Sequence, residues 1–348
     1  MPRRATAGAS LDELLLMAIP LLRDAQGNCP RTGPGRKPEY EDWEIAAMIF
    51  CGVLKKKKTK SATYAFAISQ ADVLLPRLGH TRFPARSTFF ERYKHCSTLV
   101  AEAIRLQGQL AIRQHVADAQ TAAVDKTLMA ARGPKWHASD RKRNRIPKGL
   151  RGVDREADWG YSEYHDWVQG YGLEVVVTAA QGTAAFPILA SVDTASANER
   201  RTFVAKVPQL PRSTQHVLAD RGYDGDDLAD AVESAGRRRY LCPPQRGSVG
   251  TSVRRGARER RRQRRLKRQA FLRTPRGRRL YGRRKQTVEP FNATFKRMFE
   301  LDEHVWHRGL DNNRTQILTA VFVYQLLVRH RHQCGGRDAQ VQHLLDIL

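Results

Sequence analysis

Near residue 120 the chain changes its repeat, and that change restricts the fold to a helical region followed by an α/β one. Before it, LDELLLMAIPLL, YEDWEIAAMIFCGVL and TLVAEAIRLQGQLAIRQHVADA place apolar residues three and four apart, the period of helices with one buried face. After it come short β-rich runs, TAAVD, GLEVVVTAA, AAFPILASVD, QHVLAD and RRYLC, with helical patterns at NERRTFVAKV and DDLADAVESAG between them. Strands interleaved with helices build a mixed sheet with flanking helices. The chain closes with EPFNATFKRMFELD and TQILTAVFVYQLLVRHRH, both helical in pattern. The expected division is an all-α region over 1–118 and an α/β domain over 119–348, with residues 133–170 a basic, Gly/Pro-containing stretch between the first two strands.

Charge narrows the class of partner. The chain carries a formal net charge of +26, and 17 of its Lys and Arg lie between Arg254 and Lys285 against one acid, Glu259. A single concentrated element of that kind attracts a polyanion, with DNA or RNA the default and a membrane surface the weaker alternative. No apolar run of about 18 residues is present, so no segment is expected to span a bilayer. Asp12 and Glu13 interrupt the N-terminal apolar stretch, which reads as a helix rather than a signal peptide. Five scattered cysteines, Cys29, Cys51, Cys96, Cys242 and Cys334, have neither zinc-finger nor redox spacing and fit reduced thiols in a cytosol. A second basic run, KKKKTK, precedes two short helical patterns separated by a Gly-containing turn, with Ser87 a candidate N-cap before TFFERYKH. This pair fits a plain helical bundle carrying basic surface residues better than a helix-turn-helix with its second helix in a major groove.

Three acids stand in contexts that suit one metal site: Asp125 closing TAAVD, Asp220 closing QHVLAD before Gly222, and Glu289 opening a helix directly after the Arg run. Phosphodiester cleavage needs an activated water, a stabilised pentavalent phosphate and a neutralised leaving oxygen, and two metal ions about 3.5–4 Å apart supply all three. Magnesium takes oxygen ligands and keeps water and substrate phosphate in its remaining positions, so three carboxylates are a sensible minimum. Asp125 could bridge both ions, with Asp220 and Glu289 completing one each. Glu289, Ala293 and Lys296 fall on one helix face, opposite Phe291, Phe295, Met298 and Phe299. Each acid alone also has an ordinary local role: Asp125 at a strand end, Asp220 as a turn cap, Glu289 in a first helical turn where the dipole favours an anion. His137, in GPKWHASDRKRNR, is either a general base or part of a basic loop. Trp159, Trp167 and Trp306 are expected to pack rather than to stack on bases.

The joint pattern resembles the DDE-type transposases of bacterial insertion sequences, over roughly residues 35–330. VDKT carries Asp125 and Thr127; ADWGYSEYHDWVQGYGLEVVV matches the segment leading into the second strand; LADRGYDGDDL carries Asp220 with Gly222 and Tyr223; VEPFNATFK carries Glu289, with Lys296 seven residues on. Such transposases often carry Tyr and Arg at fixed offsets before the Glu. Here those offsets fall on Gly282 and Lys285, while Tyr281 and Arg284 keep their mutual spacing one residue early.

What the resemblance implies is an RNase H-like catalytic domain that cleaves DNA at element ends and joins the freed 3′-hydroxyls to target DNA. It implies Asp125, Asp220 and Glu289 as catalytic metal ligands, two Mg²⁺ ions with Mn²⁺ able to substitute, and DNA contacts from Tyr281, Arg284, Lys285 and Lys296. It further implies a homodimer on DNA, element-end binding and dimerisation by the N-terminal helices, and a cytoplasmic, nucleoid-associated place in the bacterial cell. Two other readings share much of the pattern: an RNase H-like nuclease that cleaves without joining, and a DNA-binding protein of transposase origin without catalysis.

Overall fold

The computed structural model describes residues 9–29, 38–163, 166–180, 185–236, 238–245, 257–336 and 341–347. Arg254 and Arg255, the first members of the Arg-rich run, and Arg3 and Arg4 lie outside these residues. Six helices come first: α1 (Leu11–Asn28), α2 (Asp42–Leu54), α3 (Lys60–Ser69), α4 (Ala71–Leu78), α5 (Arg86–Tyr93) and α6 (Ser97–Arg113). Ser10 and Glu13 form a reciprocal capping box at the start of α1. Helix α5 begins at Arg86 with Ala85 as its N-cap, so Ser87 sits inside the first turn rather than capping it.

The α/β part follows in the order β1 (Thr121–Ala130), α7 (Ala138–Lys142), β2 (Asp158–Ser162), β3 (Asp166–Thr178), β4 (Pro187–Thr194), α8 (Glu199–Val204), β5 (His216–Leu218), α9 (Asp226–Ser234), β6 (Arg239–Leu241), α10 (Ala257–Arg273), α11 (Pro275–Met298), α12 (Leu310–Gln333) and α13 (Gln342–Ile347). The sheet runs β4-β3-β1-β5-β6, with β2 extending the β4 edge along the first part of β3. β1 and β4 are antiparallel to β3, while β5 and β6 are parallel to β1. This is the mixed sheet with flanking helices expected of an RNase H-like domain, preceded by an all-α region.

Helix α12 joins the two parts. From Asn313 to His330 nearly every side chain is buried, the mark of a helix enclosed on all sides. Its neighbours are α6, α2 and α1 of the helical region and β4 of the sheet. Its polar groups are used as ties: Gln325 donates to the carbonyls of Ile104 on α6 and Pro187 on β4, and Arg329 donates to Gln107. One apolar core therefore runs through the N-terminal helices and the sheet. Among the described residues no helix is long and apolar enough to cross a membrane.

The Arg-rich run is helical in both its described parts, α10 and the first half of α11. Arginine is a good helix former, but so many like charges on consecutive turns repel unless something neutralises them. Acids from α9 and the loop before it do so: Arg265 pairs with Asp224, Arg264 with Asp230, and Arg268 with both Asp226 and Glu233. Glu289 is thus not the opening residue of a helix. α11 starts at Pro275, capped by the Thr274 hydroxyl, and Pro290 lies within it.

Candidate active site

The sheet register brings two of the acids level. β1 and β5 are parallel, with Ala122 opposite Val217 and Ala123 opposite Leu218. Two further residues along each chain lead to Asp125 and Asp220, and a step of two returns a side chain to the same face. Asp125 lies in the middle of β1, not at a strand end, because LMA continues the strand against β3 as far as Ala130. Asp220 lies beyond the short β5 and accepts from the Gly222 amide at 2.9 Å, capping a 3₁₀ turn.

Helix α11 lays its polar face over this point. Arg284 donates to Asp125 at 2.8 Å and to Glu289 at 2.9 Å, and lies 3.6 Å from Asp220. One guanidinium therefore reaches all three carboxylates. Asn292, two turns on, donates to the second oxygen of Asp125 at 2.9 Å. The side chains of Arg284 and Asp125 are 10% and 13% exposed, whereas Asp220 and Glu289 keep 39% and 37%, so the cluster is closed below and open above.

The electrostatics follow from that arrangement. Burial pushes the Asp125 carboxyl up to about 6; Arg284 pulls it down, while Asp220 and Glu289 push it up. Burial works against the charge on Arg284, but Asp125 and Asp220 outweigh it and hold the guanidinium above its ordinary range. A fourth acid stands beside them. Glu199, in the first turn of α8, is pushed up to about 7 by burial and then by the Asp220 charge. A Cβ on Gly222 would lie 2.5 Å from its carboxylate and 3.1 Å from that of Asp220, so the close approach of the two acids depends on glycine there.

The other expected contacts are dispersed. Lys296 is buried and donates to the Leu128 carbonyl at 2.8 Å, bracing α11 on β1 rather than facing a phosphate beside Glu289. Lys285 is exposed. With Tyr281, Pro243, Pro244, Leu272 and Arg278 it lines a cavity of about 310 Å³. Arg284, one residue earlier, is the basic group that reaches the carboxylates. His137 is exposed at the start of α7. Trp306 is buried and Trp159 donates to the Trp136 carbonyl, as packing residues do. Trp167 instead is 62% exposed, edge-on to the equally open Tyr161 across β2 and β3. Glu199 and Asn292 were not expected at the site. The only trace of Glu199 in the sequence is its place after the helix-capping Asn198. Asn292 falls three residues after Glu289 on the same helix face.

The donor chemistry suits hard divalent cations: carboxylate oxygens from two neighbouring strands and a crossing helix, converging on a positive charge. Yet among the described residues no three acids, histidines or cysteines already stand close enough to grip one metal ion. The Arg284 guanidinium takes the central place and holds the carboxylates apart.

The structure defines an α/β protein with a mixed sheet that carries two acids level on β1 and just beyond β5, and a third on the long helix α11. The comparison with known families specifies it: residues 117–326, well over half the chain, match the family model described as the transposase DDE domain. The chain belongs to that transposase family, whose members act on DNA as metal-dependent, DNA-cleaving enzymes. It is also similar in structure to a piggyBac transposase, solved by cryo-electron microscopy as a synaptic complex with hairpin DNA. That similarity has a TM-score of 0.40 at 11% identity and covers 97% of this chain and 76% of the other. No curated protein sequence gives a significant match.

Proposed function

We propose that this protein is an insertion-sequence transposase that nicks DNA at element ends and joins the freed 3′-hydroxyls to target DNA. The observation that supports this most is the convergence of Asp125, Asp220 and Glu289 on one guanidinium. In this reading Asp125, Asp220 and Glu289 would hold two Mg²⁺ ions, with Mn²⁺ able to substitute. Bound there, the ions would supply activation of a nucleophile and neutralisation of phosphate charge. Arg284 supplies the counter-charge of the three carboxylates here; with metal ions in that role, its fork of donors would be free to fit two phosphate oxygens. Asn292 holds Asp125 in position throughout. Tyr281 and Lys285, one helical turn apart, face the flanking DNA, and the exposed arginines of α10 position it without reading sequence. The N-terminal helices, with α4 and α5 as the candidate groove-reading pair, recognise element ends and pair two copies of the chain, on the bacterial nucleoid.

The distinguishing experiment supplies ends already cleaved to 3′-hydroxyls, together with a supercoiled target plasmid. Covalent joining that is lost in Asp125→Ala and Glu289→Ala supports a transposase. Metal-dependent nicking of the plasmid without joining would replace it with an RNase H-like nuclease, and binding without any cleavage would leave a DNA-binding protein.

A further inference from the structure

Where β1 ends, three cations from separate parts of the chain meet. Lys60 opens α3, Arg132 follows β1 by two residues, and Arg308 lies in the loop between α11 and α12. Together with His307 and Asn312 they line a cleft of about 340 Å³ that has no carboxylate in its wall. Each is held by its surroundings. Arg132 donates to the Trp306 carbonyl at 2.8 Å, and Lys60 donates to the Phe90 carbonyl and lies over the Tyr93 ring. The Arg308 guanidinium lies against Gly133 and Gly152, both with positive φ, +105° and +91°. A Cβ on Gly152 would come within 2.5 Å of that guanidinium, so the loop has room for it only without a side chain. Among the described residues Arg308 has no carboxylate partner; the neighbouring acids Asp154 and Glu156 are used on the amides of Gly309 and Leu310.

At His307 the field is positive, although Glu300, Asp302 and Glu303 line the adjoining cavity that shares Arg132. His307, buried in the cleft wall, is kept neutral, its pKa lowered to about 3 by burial and then by Lys60 and Arg132. Burial and the nearby Lys94 lower Lys60 as well. Cations gathered at this cost in self-repulsion are suited to an anion.

We propose that this cleft holds a backbone phosphate of the same DNA duplex that enters the carboxylate site. The seven residues from Asp125 to Arg132, at about 3.3 Å each, place the cleft roughly 20 Å from the acids. That is about six base pairs along one strand at ~3.4 Å each. Helix α11 tracks the same line, from Arg284 at Asp125 to Lys296 at the Leu128 carbonyl, and the Val305 amide closes onto the Ala130 carbonyl. A duplex lying along β1 and α11 therefore meets both sites. The basic run 55–58 lies immediately before Lys60, with Lys56 and Lys58 paired to Glu300 and Lys57 over the Phe66 ring.

The proposal rests on DNA being the partner, and its test separates the two claims. Affinity of the full-length protein for a duplex of its flanking DNA is measured from 50 to 200 mM salt for the parent, Arg308→Ala, Arg308→Lys and Lys60→Ala. If the cleft holds one phosphate, the slope of log K against log salt falls by about 0.9 in Arg308→Ala and in Lys60→Ala. The double variant loses no more than either single one, and Arg308→Lys keeps most of the slope. Metal-dependent nicking by the parent, read on the same preparations, reports on the transposase reading independently. Slopes equal to that of the parent in both alanine variants overturn the proposal while the parent still binds and nicks. An alternative source of the same chemistry is free inorganic phosphate. Saturable, Arg308-dependent thermal stabilisation by phosphate at constant ionic strength, with unchanged DNA slopes, would assign the cleft to it and also overturn the proposal.

Discussion

Replacing Arg284 with methionine keeps most of its volume and removes the charge that three carboxylates share. Removing one partner of a buried ion pair costs about 3–5 kcal/mol, because the remaining charge has no compensation. Here only Asp125 is nearly enclosed, while Asp220 and Glu289 are more than a third exposed and screened by solvent. The loss in metal-free protein is therefore set at about 2–3 kcal/mol near neutral pH. It should shrink at lower pH. The Asp125 carboxyl already sits at about 6 in the folded chain, above its ordinary 3.8. A group raised in this way favours the fold where it is protonated and loses that contribution as pH rises through 6. Without Arg284 it is raised further, so at pH 5 the variant recovers part of the deficit. Divalent cations should do the same at pH 7.5. Magnesium would compete with a guanidinium in the parent but not in Arg284→Met, so it should stabilise the variant more. Urea unfolding of both proteins, with and without magnesium at the two pH values, reads all of this. Equal stability of parent and variant without metal, together with equal gains on adding it, would show that Arg284 is not the resident counter-charge of the site.

Three further outcomes are expected. Lys296→Met should leave the salt dependence of DNA binding unchanged and alter stability by no more than about 1–2 kcal/mol, since its ammonium serves the Leu128 carbonyl; a reduced salt slope would return it to the DNA-contacting set. Gly222→Ala should force the carboxylates of Glu199 and Asp220 apart and lower metal-dependent nicking by at least tenfold while DNA affinity holds, and unchanged nicking would separate this contact from the chemistry. His307 is held neutral, with a folded pKa near 3 against an ordinary 6.5, so the unfolded chain binds a proton that the folded one refuses. Stability should therefore fall as pH drops from about 6.5 toward 3, by up to about 1.4 kcal/mol per unit from this group, and His307→Gln should flatten that part of the urea-unfolding profile; identical profiles would contradict it.

The parts of this fold legible in the sequence are those with a local period. Val124 and Leu218 sit in β-rich runs that end in acids, and the parallel register of those runs then puts Asp125 and Asp220 level. What the sequence hid depends on pairing across the chain. β2 takes its backbone pairing from the hairpin with β3, and DWGYS is too short to mark a strand by itself. The Arg run reads as a charged segment because its partners, Asp224, Asp226, Asp230 and Glu233, lie about forty residues earlier. Glu289 followed by Pro reads as a helix start, since Pro suits a first turn. The arginines before it extend the helix once α9 neutralises its neighbour. Lys296 reads as companion to Glu289 by spacing alone, and only the approach of β1 supplies the carbonyl that takes its ammonium. Glu199 belongs to the site through Gly222, a contact no local pattern records.

The central claim is that Asp125, Asp220 and Glu289 form a single metal-dependent DNA-cleaving site. The most direct measurement incubates purified protein with a supercoiled plasmid carrying the gene's own flanking DNA, in Mg²⁺ or Mn²⁺ and in EDTA. It compares the parent with Asp125→Asn, Asp220→Asn and Glu289→Gln. The account predicts nicking at the flanks by the parent only with divalent metal, and a loss of at least a hundredfold in each variant while DNA binding persists. Metal-dependent nicking retained in any one variant would remove that residue from the site, and retention in all three would contradict the account.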